Sequence, residues 1–144
     1  MEAQNYANHR KFVFMYHVVL FLLLLLTLIG SAVNLYESWG DHERMYSASL
    51  ILVLCVGVLI LCFLSRIFAL KAQDRAIRAE ENLRHFVLTG KLLDPRLAPL
   101  QIVALRFASD AEFPPLAREA AEKSLAPNDI KKAIKAWRAD YYRV

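Results

Sequence analysis

The side chains that most often carry chemistry, histidine and cysteine, are too scattered in this sequence to form a reactive cluster. The four histidines are His9, His17, His42 and His85. Cys55 and Cys62 lie seven residues apart in an uncharged run, where a free cysteine behaves as a small apolar residue. Metal sites need several His or Cys ligands at short, regular spacing. We therefore expect no catalytic residue, no metal site and no cofactor.

Motifs that would indicate an enzyme or a nucleic-acid-binding protein do not occur. The sequence contains neither a P-loop nor a GxSxG motif, so we expect that it does not act as an enzyme. The formal charge is +4, and the part from Arg66 onward carries fifteen basic and ten acidic residues. Without a recognition motif this charge does not predict nucleic-acid binding. It favours contact with anionic lipid headgroups instead.

Two uncharged runs dominate the sequence and predict membrane-spanning helices. Residues 12–36 contain no charged side chain, and residues 45–65 form a second such run. About 20 apolar residues of helix cross a hydrocarbon core of about 30 Å. A signal peptide has an apolar region of about 7–15 residues, so the longer first run is expected to stay as an anchor. The bilayer is therefore the first expected partner.

The distribution of basic residues predicts the orientation of these two helices. Seven lie beside the outer ends of the runs: Arg10, Lys11, Arg66, Lys71, Arg75, Arg78 and Arg84. The loop between the runs has only Arg44. Since basic residues stay on the cytoplasmic side, both termini should be cytoplasmic and the protein should lie in the inner (plasma) membrane.

Small and polar residues of the first run fall on one helical face. They are Thr27, Gly30, Ser31 and Asn34, at positions i, i+3, i+4 and i+7. Such a face lets helix backbones approach closely in lipid and predicts helix packing. His17 is a second intramembrane feature, and with Asn34 it would be the basis of a small oligomeric pore or transporter.

The second run should continue into the cytoplasm as one helix and then give way to short helices. Residues 58–89 contain no Gly or Pro, and Gly90 is a typical helix stop. Glu80 and Arg84 have the spacing of a helical ion pair. Leu70, Ile77 and Arg84 do not continue a heptad pattern, so no long coiled coil is expected.

Beyond Gly90, three apolar stripes at helical spacing predict three short helices. The stripes are Leu100/Val103/Ala104/Phe107, Leu116/Ala117/Ala120/Ala121 and Ile130/Ile134/Trp137/Tyr141. The pattern from Ser109 to Glu112 indicates a capping box before the second. So few residues make a thin core. We expect it to rest on Leu83, Phe86 and Val87 of the preceding helix, on the lead before the first run, or on another copy of the chain.

The last predicted helix carries a basic surface largely away from its apolar stripe. Its members are Lys131, Lys132, Lys135 and Arg138. Held beside a bilayer, such a surface would bind anionic lipid headgroups or an acidic partner; an ordinary solvated face is the alternative. The amide- and ring-rich segment 4–10 also has two interpretations, an interfacial collar or a segment that docks on the module or on a partner.

Three stretches resemble a family of small bacterial membrane proteins of unknown function with two predicted spans and a cytoplasmic helical tail. They are residues 4–10, 104–110 and 129–144, and the likeness extends over nearly the whole chain. The resemblance implies a shared pattern at Asn5, Tyr6, Arg106, Asp110, Lys132, Trp137 and Tyr141. It implies no activity and no catalytic residue.

The sequence therefore predicts an all-α protein, a two-helix transmembrane hairpin followed by a small bundle of short helices. The predicted parts are a lead (1–11), a first span (12–36), an external loop (37–46), a second span with its cytoplasmic extension (47–89) and a basic helical module (90–144). The leading hypothesis is an accessory or scaffold protein that binds a membrane-protein partner or forms a homo-oligomer. The alternatives are a pore or transporter and a sensor of anionic lipid surfaces.

Overall fold

The computed structural model describes residues 4–9 and 11–141, and its regular elements are helical, as predicted. A π-helical turn at Met15–Leu20 leads directly into α1 (Phe21–Glu37), and α2 spans His42–Thr89. Three short helices follow: α3 (Pro99–Leu105), α4 (Phe113–Lys123) and α5 (Pro127–Ala133). The chain divides into two compact units, the hairpin unit (Phe12–Phe68) and the module (Met1–Lys11 with Ala69–Val144).

The hairpin unit consists of two helices that are long and apolar enough to cross a membrane. Only 6% of the most apolar window of each is buried within the protein, whereas a soluble core helix would be mostly buried. The buried residues of this unit are small ones, Ser31, Ser38 and Ala48. At the far end of the pair, the Tyr16 hydroxyl donates a 2.8 Å hydrogen bond to the Cys62 carbonyl.

Gly40 and Gly90 mark the two ends of α2. Gly40 lies in the short connection before it, at φ +94°, and Gly90 follows Thr89 at φ +72°. Both values belong to the left-handed region, which a residue without Cβ adopts at little cost. The predicted stop at Gly90 is confirmed. The helix begins at His42, so most of the stretch predicted as a loop is already helical.

The module packs its three short helices around one apolar core. Its largest fully buried side chains are Phe107, Phe113, Leu105 and Ile130. Pro99 occupies the first turn of α3, where a missing N–H costs nothing. The Gln101 side chain accepts from the Ala98 amide at 2.7 Å and donates to the Leu125 carbonyl at 2.8 Å. One residue thus caps α3 and ties it to the α4–α5 turn.

The prediction that Leu83, Phe86 and Val87 support this core was wrong. Their exposed fractions are 64%, 49% and 75%. Ile77 and Glu81, on another face of α2, are buried instead, at 7% and 5% exposure. The side of α2 that supports the module therefore carries a charge, which an apolar pattern alone does not reveal.

The last predicted helix is also shorter than expected, and the capping box before α4 is not formed. The carboxylate of Glu112 accepts from the amides of Lys135 and Ala136, at 3.3 and 3.0 Å, rather than capping its own helix. Capture of these amides accompanies an extended backbone at Ile134 (φ −69°, ψ 123°). Helix α5 therefore ends at Ala133, and the chain continues extended to pair Trp137 with Ala108.

Candidate functional site

The N-terminal segment (residues 4–9) docks on the module, which is the second of the two interpretations that its composition allowed. Asn5 folds the segment into a turn, because its side-chain oxygen accepts from the amides of Ala7 and Asn8 at 2.8 and 3.2 Å. The Asn8 side-chain oxygen in turn accepts from the Asn5 amide at 2.7 Å. This local turn presents His9 to the core.

His9 is the anchor of the segment. Its side chain is only 8% exposed and lies against two core rings, with centroids 5.7 Å from Phe107 and 5.8 Å from Trp137. Nδ1 lies 2.6 Å from the Tyr6 carbonyl, which only accepts, and Nε2 lies 3.2 Å from the Lys131 ammonium, which only donates. These bonds fit a neutral ring with its proton on Nδ1. The ring is thus held on both nitrogens.

A second set of bonds joins the same segment to the end of the module. The Gln4 side chain accepts from the Asp140 amide at 2.8 Å and donates to its carbonyl at 3.4 Å. The Asp140 carboxylate accepts from Arg106 Nε at 2.9 Å. The Arg106 guanidinium carbon lies 4.3 Å from the centre of the Phe107 ring. The two ends of the described chain are therefore fastened to α3 and to each other.

Arg84 is the centre of a third network, on α2. It donates to Glu81 Oε2 at 2.9 Å, to Asp110 Oδ1 at 2.8 Å and to the Ala108 carbonyl at 2.7 Å. Its guanidinium also lies 4.5 Å from the centre of the Phe113 ring. Arg84 therefore uses neighbours on α2 and on the α3–α4 loop, and the predicted Glu80–Arg84 pair was wrong.

Glu81 is a buried acid of the module. Burial raises the pKa of this carboxyl, and the bond to Arg84 and the nearby charges of Arg84 and Arg138 oppose the rise without cancelling it. A raised pKa beside a groove is found in general acids. Here, however, Oε2 is bonded to Arg84 and Oε1 lies 3.6 Å from Arg138. These contacts support a structural use of the carboxyl.

Replacing Glu81 by glutamine should leave the module as stable at neutral pH, or make it more stable. Glutamine keeps an acceptor for Arg84 and carries no charge into the core, so the roughly 1–3 kcal/mol cost of an unsatisfied buried group is avoided. The folded-state pKa lies above its ordinary value of 4.5, so the folded protein binds the proton more tightly. The stability that the wild-type protein gains from this tighter proton binding is complete below about pH 4.5. It is lost as the pH rises through the folded-state pKa.

Thermal unfolding of the full chain as a function of pH measures this effect. The difference in Tm between Glu81→Gln and the wild type should move in favour of the variant as the pH rises from 4.5. A constant difference across that range would show that the carboxyl is not perturbed by burial. Glu122→Gln, exposed on α4, is the matched control.

An open groove of about 580 Å³ runs beside these networks within the module. Its ionic lining consists of three cations and three anions: Lys11, Arg106, Arg138, Glu80, Glu81 and Asp140. Ile77 and Tyr141 add apolar surface. Among residues 4–9 and 11–141, no group of His, Cys, Asp and Glu side chains could hold a metal ion.

The structure brings together most of the residues that the family resemblance singled out. Asn5, Tyr6, Arg106, Asp110 and Trp137 all belong to the three networks. Of the other two, Tyr141 lines the groove and Lys132 is exposed. Arg10, the last residue of the predicted stretch 4–10, lies outside the described residues, as do residues 142–144 of the stretch 129–144.

The predicted basic surface does not lie on one helix. Lys131 bonds to His9, and Arg138 lies beside Glu81 in the extended segment. Lys132 and Lys135 are exposed, the second of them beyond the end of α5. Contact with headgroups would depend mainly on these two.

The predicted helix-packing face is largely open within the chain. Of its four members, Ser31 is buried, while Thr27, Gly30 and Asn34 are exposed. A Cβ placed on Gly30 would meet no atom within 4 Å. His17, the other intramembrane candidate, bonds through Nδ1 to the Val13 carbonyl at 2.9 Å.

The functional side chains that sequence reasoning missed are His9, Glu81 and the acceptor role of Glu112. Only the first left a signal, because the segment around His9 is unusually rich in amide and ring side chains. Glu81 sits among other charged residues of α2, and nothing in its spacing separates it from Glu80. The partners of Glu112 are more than twenty residues away.

Comparison with known protein families finds a match over the whole chain. A model described as "Family of unknown function (DUF6526)" covers residues 1–144. No curated protein and no solved structure matches the chain.

Proposed function

The chain belongs to DUF6526, a family of unknown function, and we propose that it is an accessory or scaffold protein of a bacterial inner membrane. Its two long apolar helices span the bilayer as a hairpin. The module lies at the cytoplasmic surface and holds partner subunits, other copies of the chain, or both.

The exposure of the apolar helices supports the membrane assignment. Large apolar side chains such as Leu26 and Phe63 are 68% and 53% exposed. Leaving so much apolar surface in water would be unfavourable by about 25 cal/mol for each Å², and lipid removes that cost. The exposed Tyr36, Trp39 and Tyr46 fall around the connection between the helices, where aromatic rings favour the headgroup layer.

One observation carries the topology: the segment before the first apolar helix and the chain after the second are bound in one unit. His9 is buried against Phe107 and Trp137, and Gln4 bonds to Asp140. Segments that share a core must share a compartment. If both apolar helices cross the membrane, the module lies on one side with both ends of the chain. The surplus of basic residues at these ends supports the cytoplasmic side.

The use of the buried polar groups supports an accessory role rather than catalysis. Arg84 and Arg106 each bond one segment of the module to another, and Glu81 bonds to Arg84 and lies 3.6 Å from Arg138 of the extended segment. The open features are surfaces: the groove, the exposed Lys132 and Lys135, and the uncovered face of α1. Surfaces of this kind suit binding to a membrane partner and to anionic headgroups.

Replacing Gly30 by leucine tests whether the chain associates through α1. The site is open within the chain, so leucine should leave the fold unchanged while it blocks close approach of a second helix. Protein extracted in mild detergent should lose its oligomer or its co-purifying partner. Size-exclusion chromatography with light scattering and analysis of co-purified proteins give the readout.

Ala32→Leu is the matched control, because Ala32 is also small and exposed on α1 but lies about 160° away from Gly30 around the helix. It should leave the assembly intact. A wild-type chain that is a lone monomer in mild detergent, with no cross-linked neighbour in cells, would contradict the proposed function. An assembly that tolerates Gly30→Leu would place the contact elsewhere on the chain.

A further inference from the structure

The face of α2 that the module leaves open has a regular apolar pattern. Five exposed side chains at alternating spacings of four and three residues form what we call the seam: Ala72, Ala76, Ala79, Leu83 and Phe86. Residues at this spacing follow one side of a helix, as at the a and d positions of a coiled coil. The seam is in a different register from Leu70, Ile77 and Arg84, the residues that argued against a long coiled coil. Small residues occupy its first part and large ones its last.

Most of the seam is turned away from the core of the module, and its member Ala76, like Glu80 beside it, also borders the open groove. Ile77 and Glu81, which face the core, are at most 7% exposed, whereas Leu83 and Phe86 are 64% and 49% exposed. A step of two residues, from Ile77 to Ala79, turns about 200° around a helix of 3.6 residues per turn. Val87, beside the seam, is 75% exposed. Three large apolar side chains therefore share one uncovered surface at the end of the helix.

The charges that flank the seam identify its occupant. Arg75 directly precedes Ala76 and occupies a g position. Glu80 directly follows Ala79 and occupies an e position. In a parallel pair of helices a g residue faces the e residue five positions later in the partner, so Arg75 of each copy meets Glu80 of the other. Arg84 forms ion pairs with Glu81 and Asp110. Neither Arg75 nor Glu80 has an ion pair in the described part of the chain.

From the seam and this charge pattern, we infer that α2 binds a second copy of the same chain in parallel, as a short coiled coil over residues 72–86. In an antiparallel pair g residues face g residues of the partner, so Arg75 would not meet Glu80 and the attraction would be lost. Two copies in one membrane have the same orientation, so the inference rests on the proposed function for its geometry. It adds to that proposal the surface and the partner.

Disulfide trapping in membranes tests the inference on the full chain. In a cysteine-free background (Cys55→Ala with Cys62→Ala), Ala79→Cys should form a disulfide-linked dimer on oxidation, visible on a non-reducing gel. Arg78→Cys is the control: it is exposed and adjacent, but lies about 100° away around the helix. A disulfide requires Cα atoms within about 7 Å, so this control should remain monomeric.

Charge reversal identifies the partner as a second copy. In the Ala79→Cys chain, Glu80→Arg alone and Arg75→Glu alone should each reduce the dimer, because like charges then meet. The two reversals together should restore it. All these side chains are exposed, so the Tm of the module should not change.

Several results would overturn the inference. They are equal cross-linking at positions 78 and 79, no dimer at 79, a cross-link at 79 to a different protein, or a double reversal that fails to restore the dimer. Lipid covering the seam would give no dimer at 79. If an oligomer persists in mild detergent while position 79 stays unlinked, the seam is wrong and the proposed function stands. If the chain is also a lone monomer, both fail.

Discussion

Replacing Phe107 by alanine is expected to destabilise the module by about 3–5 kcal/mol and to release the N-terminal segment. Phe107 is 1% exposed and lies at the centre of the core. Its ring also contacts His9 and Trp137, with centroids at 5.7 and 5.0 Å, and the Arg106 guanidinium. Truncation therefore leaves a cavity and removes the surface on which His9 rests.

Hydrogen exchange on the full chain separates the two effects. Amides of residues 99–133 report the stability of the core, and those of residues 5–9 report docking of the segment. Phe107→Leu is the control: it keeps most of the volume and should cost less than about 1.5 kcal/mol. It lacks the aromatic edge that meets His9, so faster exchange should be confined to the segment. Equal, small effects of both substitutions would contradict the central position of the ring.

Replacing Arg84 by methionine should be about as damaging, by roughly 3–5 kcal/mol, for an electrostatic reason. Arg84 and Glu81 side chains are 11% and 7% exposed, so their bond is shielded from water. Methionine keeps the apolar stem and removes the charge. Glu81 is then left buried with only Arg138, at 3.6 Å. The pair with Asp110 adds little, since that carboxylate is largely exposed.

A double-mutant cycle shows whether the unpaired carboxyl is the cause. If Arg84→Met destabilises by stranding Glu81, then adding Glu81→Gln should recover part of the loss. Directly bonded partners usually show coupling of about 0.5–3 kcal/mol. Chemical denaturation of the full chain, followed by helix content, gives the four free energies of unfolding. Strictly additive losses would mean that Arg84 acts through its bond to the Ala108 carbonyl and its packing on Phe113.

The long helices and the C-terminal end of α2 were predictable from the sequence because their causes are local. An uncharged run of 25 residues, 12–36, has no common alternative to a helix. Gly90 ends α2 because its backbone adopts a positive φ. The short helices α3, α4 and α5 start at or next to prolines for the same kind of reason. Local chemistry of this type survives whatever the rest of the chain does.

The parts that sequence reasoning placed wrongly depend on partners far along the chain. Residues 134–141 have the apolar spacing of a helix, yet Glu112 takes the amides that such a helix would need. Arg84 has an acid four residues earlier, yet it bonds to Glu81 and Asp110, because the α3–α4 loop and the Phe113 ring lie beside that side of α2. Spacing in one segment contains no information on such contacts.

Docking of the N-terminal segment was half predictable. The composition of residues 4–10 allowed docking as well as an interfacial collar, and the family resemblance pointed to Asn5 and Tyr6. The anchor, however, is His9, whose two ring nitrogens find partners in Tyr6 and Lys131. A single buried histidine has no sequence signature, since its burial results from the packing of α3 and α5.

The most direct test of the proposed membrane topology is the labelling of single cysteines from outside intact cells. In the cysteine-free chain, Asp41→Cys in the connection between α1 and α2 should react with a membrane-impermeant maleimide. Lys132→Cys in the module should react only after the membrane is permeabilised. Labelling of Lys132→Cys in intact cells would place the module outside and contradict the proposed topology. If both cysteines reacted only after permeabilisation, the connection would not reach the outside and the membrane hairpin itself would be wrong.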